Sequence, residues 1–282
     1  MARGRAVKPV ASELEVLRVR AMAGEGPALD ALCKALEPGV FRICLRILGD
    51  IRDAEDAAQD VLVKVVTHLS QFDGRSALMT WVHTVTVRHV LHAKKSRAEL
   101  TPRTLESFAT LLDQGLAFGA TQAPSGPEDR AFVQEVRLSC TQGMLLLLSR
   151  EERIALVLVD LLGLDGAEAA VVAGSSHDAF RQRLSRARAE LGEFLQARCG
   201  LSNESAACRC DKQVPAKKAI GAKIRLSLLV TDELPAPAHD VQVAEGELRH
   251  LRAIADTFHQ DGLFDAPATL HQRIVALLPS ML

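Results

Sequence analysis

The chain has 282 residues, 48% apolar and 24% charged, with a formal net charge of −1, a balance that excludes a disordered chain and allows two modest domains with an appendage. Aromatic residues make up 4%, with one Trp and no Tyr, and the abundance of Ala, Leu, Val and Arg favours helices packed on small and branched aliphatics, so an all-helical fold is expected. No apolar run, Met144 to Leu148 included, approaches the length of a bilayer span, and Met1 to Ala11 lacks the apolar stretch of a signal peptide; the expectation is a cytoplasmic protein without membrane contact.

Residues 1–27 precede the first sustained pattern and read as an N-terminal arm. From Ala28 to Leu48, the residues Leu29, Leu32, Leu36, Val40, Ile43 and Ile47 recur at helical spacing, with Pro38-Gly39 expected to break or restart the helix. Asp53 to Leu69 opens with acids suited to a helix N-terminus and carries Ala57, Val61, Val65 and Leu69 along one stripe. Asp73-Gly74 marks a turn, and Ser76 to Arg97 reads as a third long helix whose far half is basic. Residues 28–100 then form one helical bundle.

Between Thr101 and Gly126 no period holds, and Gly115, Gly119, Pro124 and Gly126 interrupt the chain, so residues 101–127 read as a flexible linker. A second helical unit spans residues 128–200. Ser149 and Glu152 form a capping box ahead of the apolar segment Ile154 to Leu162. Asp165-Gly166 is a turn, Ala167 to Ala173 a short helix and Gly174 another turn. Ser175 with Asp178 caps a last helix that runs to about Ala197.

Two helices joined by a tight glycine-containing turn are a helix-turn-helix. Its second helix would offer Ser175, Ser176, His177, Asp178, Arg181, Gln182 and Arg186 to a DNA major groove, with Ala179, Phe180 and Leu184 facing the core. A lone arginine-rich helix reads equally well as a solvated face, whereas the preceding helix, turn and capping box favour DNA. In the first bundle the charge is segregated: Asp53, Glu55, Asp56 and Asp60 crowd one helix, and Arg88, Lys94, Lys95, Arg97 and Arg103 cluster at the end of the next. An acidic helix repels DNA and suits a basic protein partner, while a basic one can follow phosphates.

The run Asp53-Ala54-Glu55-Asp56-Ala57-Ala58-Gln59-Asp60, followed by Phe72-Asp73-Gly74-Arg75-Ser76 and Thr80-Trp81, resembles the first domain of the extracytoplasmic-function sigma factors. Leu148-Ser149-Arg150-Glu151-Glu152-Arg153, Asp160-Leu161-Leu162-Gly163-Leu164 and Arg183-Leu184-Ser185-Arg186-Ala187-Arg188 resemble their second domain, in the same order. The resemblance implies a promoter-specificity subunit of RNA polymerase and not an enzyme. Asp53, Asp56, Gln59 and Asp60 would dock on the coiled coil of the largest polymerase subunit. Phe72, Asp73, Gly74, Arg75, Ser76, Trp81, Arg88, His92 and Lys95 would meet the −10 element, and the helix from Ser175 to Arg186 the −35 element. Trp81 reads equally as a core anchor. The sequence departs from the family at Arg88 and His92, where Asn and Asp are usual, so the −10 preference does not carry over; a third departure, Leu62 in place of the usual Phe, falls in the core. An anti-sigma protein is a further candidate partner.

Residues 201–282 exceed what the family needs. Cys208-Arg209-Cys210 with Cys199, and His250, His259 and His271, raise a metal site or a thiol switch, but Cys-x-Cys without a second paired motif does not make a zinc site, and neither metal nor cofactor is expected. Some members of the family carry a C-terminal extension with a Cys-Arg-Cys element, which this chain resembles. Glu245 to Phe258 and Ala266 to Leu278 read as amphipathic helices that would pack on the preceding domains, making the extension a candidate regulator. Two readings compete with promoter recognition: an interaction regulator that keeps the fold without initiating transcription, and a metalloenzyme, for which no acid, base and ligand set converges.

Overall fold

The computed structural model of the chain describes residues 8–100, 104–122, 126 and 129–220. Among them every regular element is a helix, as composition implied, and only Cys199 and Cys208 form an isolated β-bridge. The helices expected at Glu245 to Phe258 and Ala266 to Leu278, and His250, His259 and His271, lie outside the described residues.

The first bundle comprises α1 (Lys8–Met22), α2 (Gly26–Leu48), α3 (Ile51–Thr67) and α4 (Leu78–His92). Helix α2 is its axis: Leu32, Leu36, Val40, Phe41, Ile43, Cys44 and Ile47 are each at most 1% exposed, and burying a side chain of this size contributes roughly 1.5–3 kcal/mol. The break expected at Pro38 does not occur, and α2 runs through it. A proline removes one N–H and leaves the carbonyl four residues earlier unpaired; that carbonyl belongs to Lys34, on an exposed side of the helix where water can serve it. Helix α3 starts two residues before Asp53 because Asp50 caps it, accepting the N–H groups of Arg52 and Asp53, each at 3.0 Å.

Helix α4 stops at His92, short of the expected Arg97. The chain folds back instead: Ser96 is 3% exposed and donates its hydroxyl to the Leu48 carbonyl, and the Arg97 N–H bonds Asp53 at 2.8 Å. Tertiary hydrogen bonds displace the last helical turn.

The segment read as a flexible linker holds helix α5 (Leu105–Ala120), opened by a capping box in which Thr104 and Ser107 bond each other's backbone. The glycines that suggested flexibility are contact points. A Cβ on Gly115 would collide with the Gln213 side chain, and one on Gly119 with the Lys212 carbonyl; both partners belong to α10 (Cys210–Ile220), which lies beyond the expected second domain and packs on α5 and on α6 (Arg130–Leu145).

The second domain adds α7 (Arg150–Leu156), which continues as a π-helical turn over Val157–Leu161, then α8 (Gly166–Val172) and α9 (His177–Arg198). The Ser149–Glu152 capping box forms as read, and Asp165 caps α8. The cap of α9 is Ser176 rather than Ser175, its hydroxyl accepting the Ala179 N–H at 3.3 Å. Gly174, at φ +64°, turns the chain between α8 and α9. Ile154 to Leu158 are at most 2% exposed and bind α7 to α9.

The domains pack directly on each other. Helix α4 contacts α7 and α8, and α2 contacts α6 and α7. Thr80 of α4 donates to Glu168 of α8 at 2.8 Å, and Gln142 of α6 donates to the Arg46 carbonyl of α2 at 3.2 Å.

Candidate nucleic-acid interface

Of the acidic residues on α3, Asp56 and Asp60 are exposed, with Asp60 lying 3.7 Å from the Nε2 of His89. Burial and the neighbouring Lys64, whose ammonium meets His89 Nδ1 at 2.7 Å, lower the pKa of that imidazole. Asp53 is half-buried and committed to the Arg97 N–H, and the Oε1 of Gln59 is buried without a hydrogen-bond partner. The four residues of the expected docking face differ in exposure: Asp56 and Asp60 project, while Asp53 and Gln59 are half-buried.

The loop after α3 is short and exposed from Asp73 to Ser76. Asp73 accepts the Arg75 N–H at 3.1 Å and its guanidinium at 2.5 Å, and these bonds hold its carboxyl below the usual range. Gly74 supplies the turn at φ +73°. Phe72 packs on Trp81 with ring centroids 5.7 Å apart and planes tilted by 55°, and Arg18 of α1 lies 5.4 Å over the Phe72 ring. Trp81 thus ties the loop to α4 while remaining half-buried. Arg88, His92 and Lys95 are exposed on or just beyond α4.

On the helix-turn-helix, Ser176, His177, Asp178, Arg181, Gln182 and Arg186 are exposed, Ser175 is half-exposed, and Phe180 and Leu184 are buried as read, whereas Ala179, also expected to face the core, is only half-buried. Arg186 reaches back to Glu152 at 3.0 Å, and Arg188 donates twice to Asp160 at 3.2 and 2.5 Å. Those two arginines brace α9 against α7. Arg181 is 73% exposed and lies 3.7 Å from Asp178, its neighbour on the same helix.

One constellation carried no sequence signal. Glu99, at the end of the first domain, accepts from Arg150 Nε at 3.0 Å and Arg153 Nη1 at 3.1 Å. Arg153 is 2% exposed and also donates to the carbonyls of Ile47, Leu145 at 2.8 Å and Leu148 at 3.1 Å. Arg150 takes the carbonyls of Val90 at 2.9 Å and Ala93 at 2.6 Å, capping the C-terminus of α4 with a cation. Burial alone would raise the Glu99 carboxyl, but the Arg150 hydrogen bonds, the Ser96 N–H and both guanidinium charges hold it at about 2.

Residues 32–99 match the family model for sigma-70 region 2, and residues 138–191 match that for sigma-70 region 4. A probable RNA polymerase sigma-C factor of Mycobacterium bovis is 31% identical over 172 residues, covering 61% of this chain and 85% of that one. The chain belongs to the extracytoplasmic-function sigma factors of the sigma-70 family. It is a transcription initiation factor and not an enzyme. The RNA polymerase sigma-H factor of Pseudomonas aeruginosa is 26% identical over 179 residues, 63% of this sigma factor and 91% of that one. Among solved structures, the sigma factor RpoE of Bartonella quintana, determined with the anti-sigma factor NepR, matches 57% of this chain and 92% of its own at 21% identity and a TM-score of 0.37. Both region matches fall inside the two helical domains, and the C-terminal residues that follow α9 lie beyond both. No helix among the described residues is long and apolar enough to cross a membrane.

Proposed function

We propose that this sigma factor works in the cytoplasm through residues 28–100 as its −10 and core-polymerase module and residues 128–200 as its −35 module, with Asp56 and Asp60 leading the contact to the largest-subunit coiled coil. Phe72 to Ser76, Trp81, Arg88, His92 and Lys95 form the −10 surface, and Ser175 to Arg186 the −35 surface. An anti-sigma protein would compete with polymerase for the acidic α3 face. The observation that carries the reading is exposure: the projecting acids stand on α3, the basic groups gather at the far end of α4, and the first turns of α9 are open to solvent.

The packing adds a step. By the positions that name them, the −10 and −35 elements are centred about 25 base pairs apart, or roughly 85 Å at 3.4 Å per pair. A compact body of about 200 residues has a radius of gyration near 16 Å and cannot span that distance. The clasp of Glu99, Arg150 and Arg153 therefore opens before one molecule engages both elements. Run-off transcription with core polymerase tests the assignment: promoter-specific transcripts are expected with the intact chain and are lost when Asp56 and Asp60 are both reversed. A chain that binds core enzyme without conferring initiation would favour the interaction-regulator reading instead.

A further inference from the structure

Four thiols that are distant in sequence gather where the extension meets the second domain. Cys140 comes from α6, Cys199 caps the end of α9, and Cys208 and Cys210 flank the start of α10. They lie close enough to perturb one another, since charge on Cys199, Cys208 and Cys210 contributes to raising Cys140 after burial. Among the described residues no three His, Cys, Asp or Glu side chains are placed to hold a metal ion. Pairwise chemistry is what the geometry favours.

Cys199 and Cys208 are the paired residues of the parallel β-bridge, with the Gly200 N–H bonded to the Cys208 carbonyl at 2.9 Å. Bridged strands run about 4.7–4.9 Å apart, within the Cα separation of about 4.4–6.8 Å that a disulfide requires. We propose that Cys199 and Cys208 form a reversible disulfide that fastens the extension to the end of the DNA-reading helix. The thiolate of one cysteine attacks a low-molecular-weight disulfide, expelling one small thiol and leaving a mixed disulfide. The second cysteine, as thiolate, displaces the other small thiol. Two protein thiols lose two protons and two electrons, and the small disulfide is reduced to two thiols. In a reducing cytosol the pair stays open, so closure reports an oxidising shift.

The bond would act on α10. That helix is held on α5 and α6 by Gln213 donating to the Leu112 carbonyl at 2.8 Å, Lys217 donating to Ser139 at 3.0 Å and a Lys218–Asp129 ion pair. A covalent tie at its N-terminus limits the local unfolding of α10 that trypsin needs to cut the backbone at Lys212, Lys217 and Lys218. Burial holds the Cys208 thiol above its ordinary pKa, so closure is slow at neutral pH and quickens as pH rises.

The full chain is incubated with excess oxidised glutathione and mapped by non-reducing peptide mass spectrometry, a readout independent of polymerase and promoter. A Cys199–Cys208 crosslink is expected as the main product, lost in Cys199→Ser and in Cys208→Ser and retained in Cys210→Ser, with Cys33 and Cys44, buried in α2, unmodified. Tryptic cleavage at Lys212, Lys217 and Lys218 should slow several-fold in the crosslinked wild type and not in Cys208→Ser. A Cys208–Cys210 link, mixed glutathione adducts alone, or a stoichiometric bound metal that protects the thiols would overturn the proposal. An unchanged cleavage rate in crosslinked protein would overturn the fastening.

Discussion

Glu99 accepts a hydrogen bond from Arg150 Nε at 3.0 Å, although the two residues belong to different domains. The carboxylate sits where the first domain ends, and the guanidinium belongs to the first residue of α7 in the second domain. Removing Glu99 leaves Arg153, 2% exposed, without its counter-charge. We expect Glu99→Ala to lose about 3–5 kcal/mol of stability, the usual cost of breaking a buried pair, measured by urea denaturation of the full chain. A loss below about 1 kcal/mol would mean that apolar packing alone joins the domains.

The same carboxylate predicts acid sensitivity. Its folded pKa of about 2 lies below the ordinary 4.5, so its contribution is full above the ordinary value and disappears as pH falls toward the folded value. With a side chain 9% exposed, that contribution is on the order of 3 kcal/mol. His83 adds an earlier loss: burial lowers it from 6.5 to about 4, so below 6.5 the unfolded chain gains a proton that the folded chain refuses. The urea midpoint should be level above pH 7, fall from 6.5 to 4 and fall further toward 2. His83→Gln should flatten the upper part of that decline, and Glu99→Gln the lower.

On the −35 face, Arg181→Ala should weaken promoter binding and reduce the salt slope by about one counterion if the guanidinium meets phosphate, or relax base preference by roughly 1–3 kcal/mol if it reads a base. Arg186→Ala should do the same and also lower stability slightly, because Arg186 braces α9 to Glu152. Binding isotherms at several salt concentrations separate the two. Unchanged affinity and slope in both variants would take α9 out of the DNA interface.

For the polymerase contact, Asp56→Lys with Asp60→Lys should abolish co-purification with core enzyme and leave the melting temperature within a few degrees of wild type, since both side chains are exposed. Asp53→Lys is expected to behave differently. Its carboxylate holds the Arg97 N–H at 2.8 Å, so that variant should lose stability as well as binding. If all three substitutions cost the same stability, the acids form one structural cluster and not a docking face.

The amphipathic period of α2, the Ser149–Glu152 capping box, the turn at Gly174 and the exposure of Arg181 were legible in the sequence, because each depends on residues within a turn or two of one another. What the tertiary structure decided rests on long-range approach. Pro38 passes through α2 where the residue whose carbonyl it deprives, Lys34, is exposed to water, and α4 ends at His92 because Ser96 and Arg97 find partners on α2 and α3. Gly115 and Gly119 signal a loop when read locally, yet they are the seats on which α10 approaches α5. Cys140 joins Cys199, Cys208 and Cys210 only after α6, α9 and α10 have packed, and Glu99 meets Arg150 and Arg153 across 51 and 54 residues of chain. Period and capping arise from local backbone geometry and so can be read along the chain, whereas contacts at such separations exist only once helices have packed and the cost of closing the intervening loops has been met.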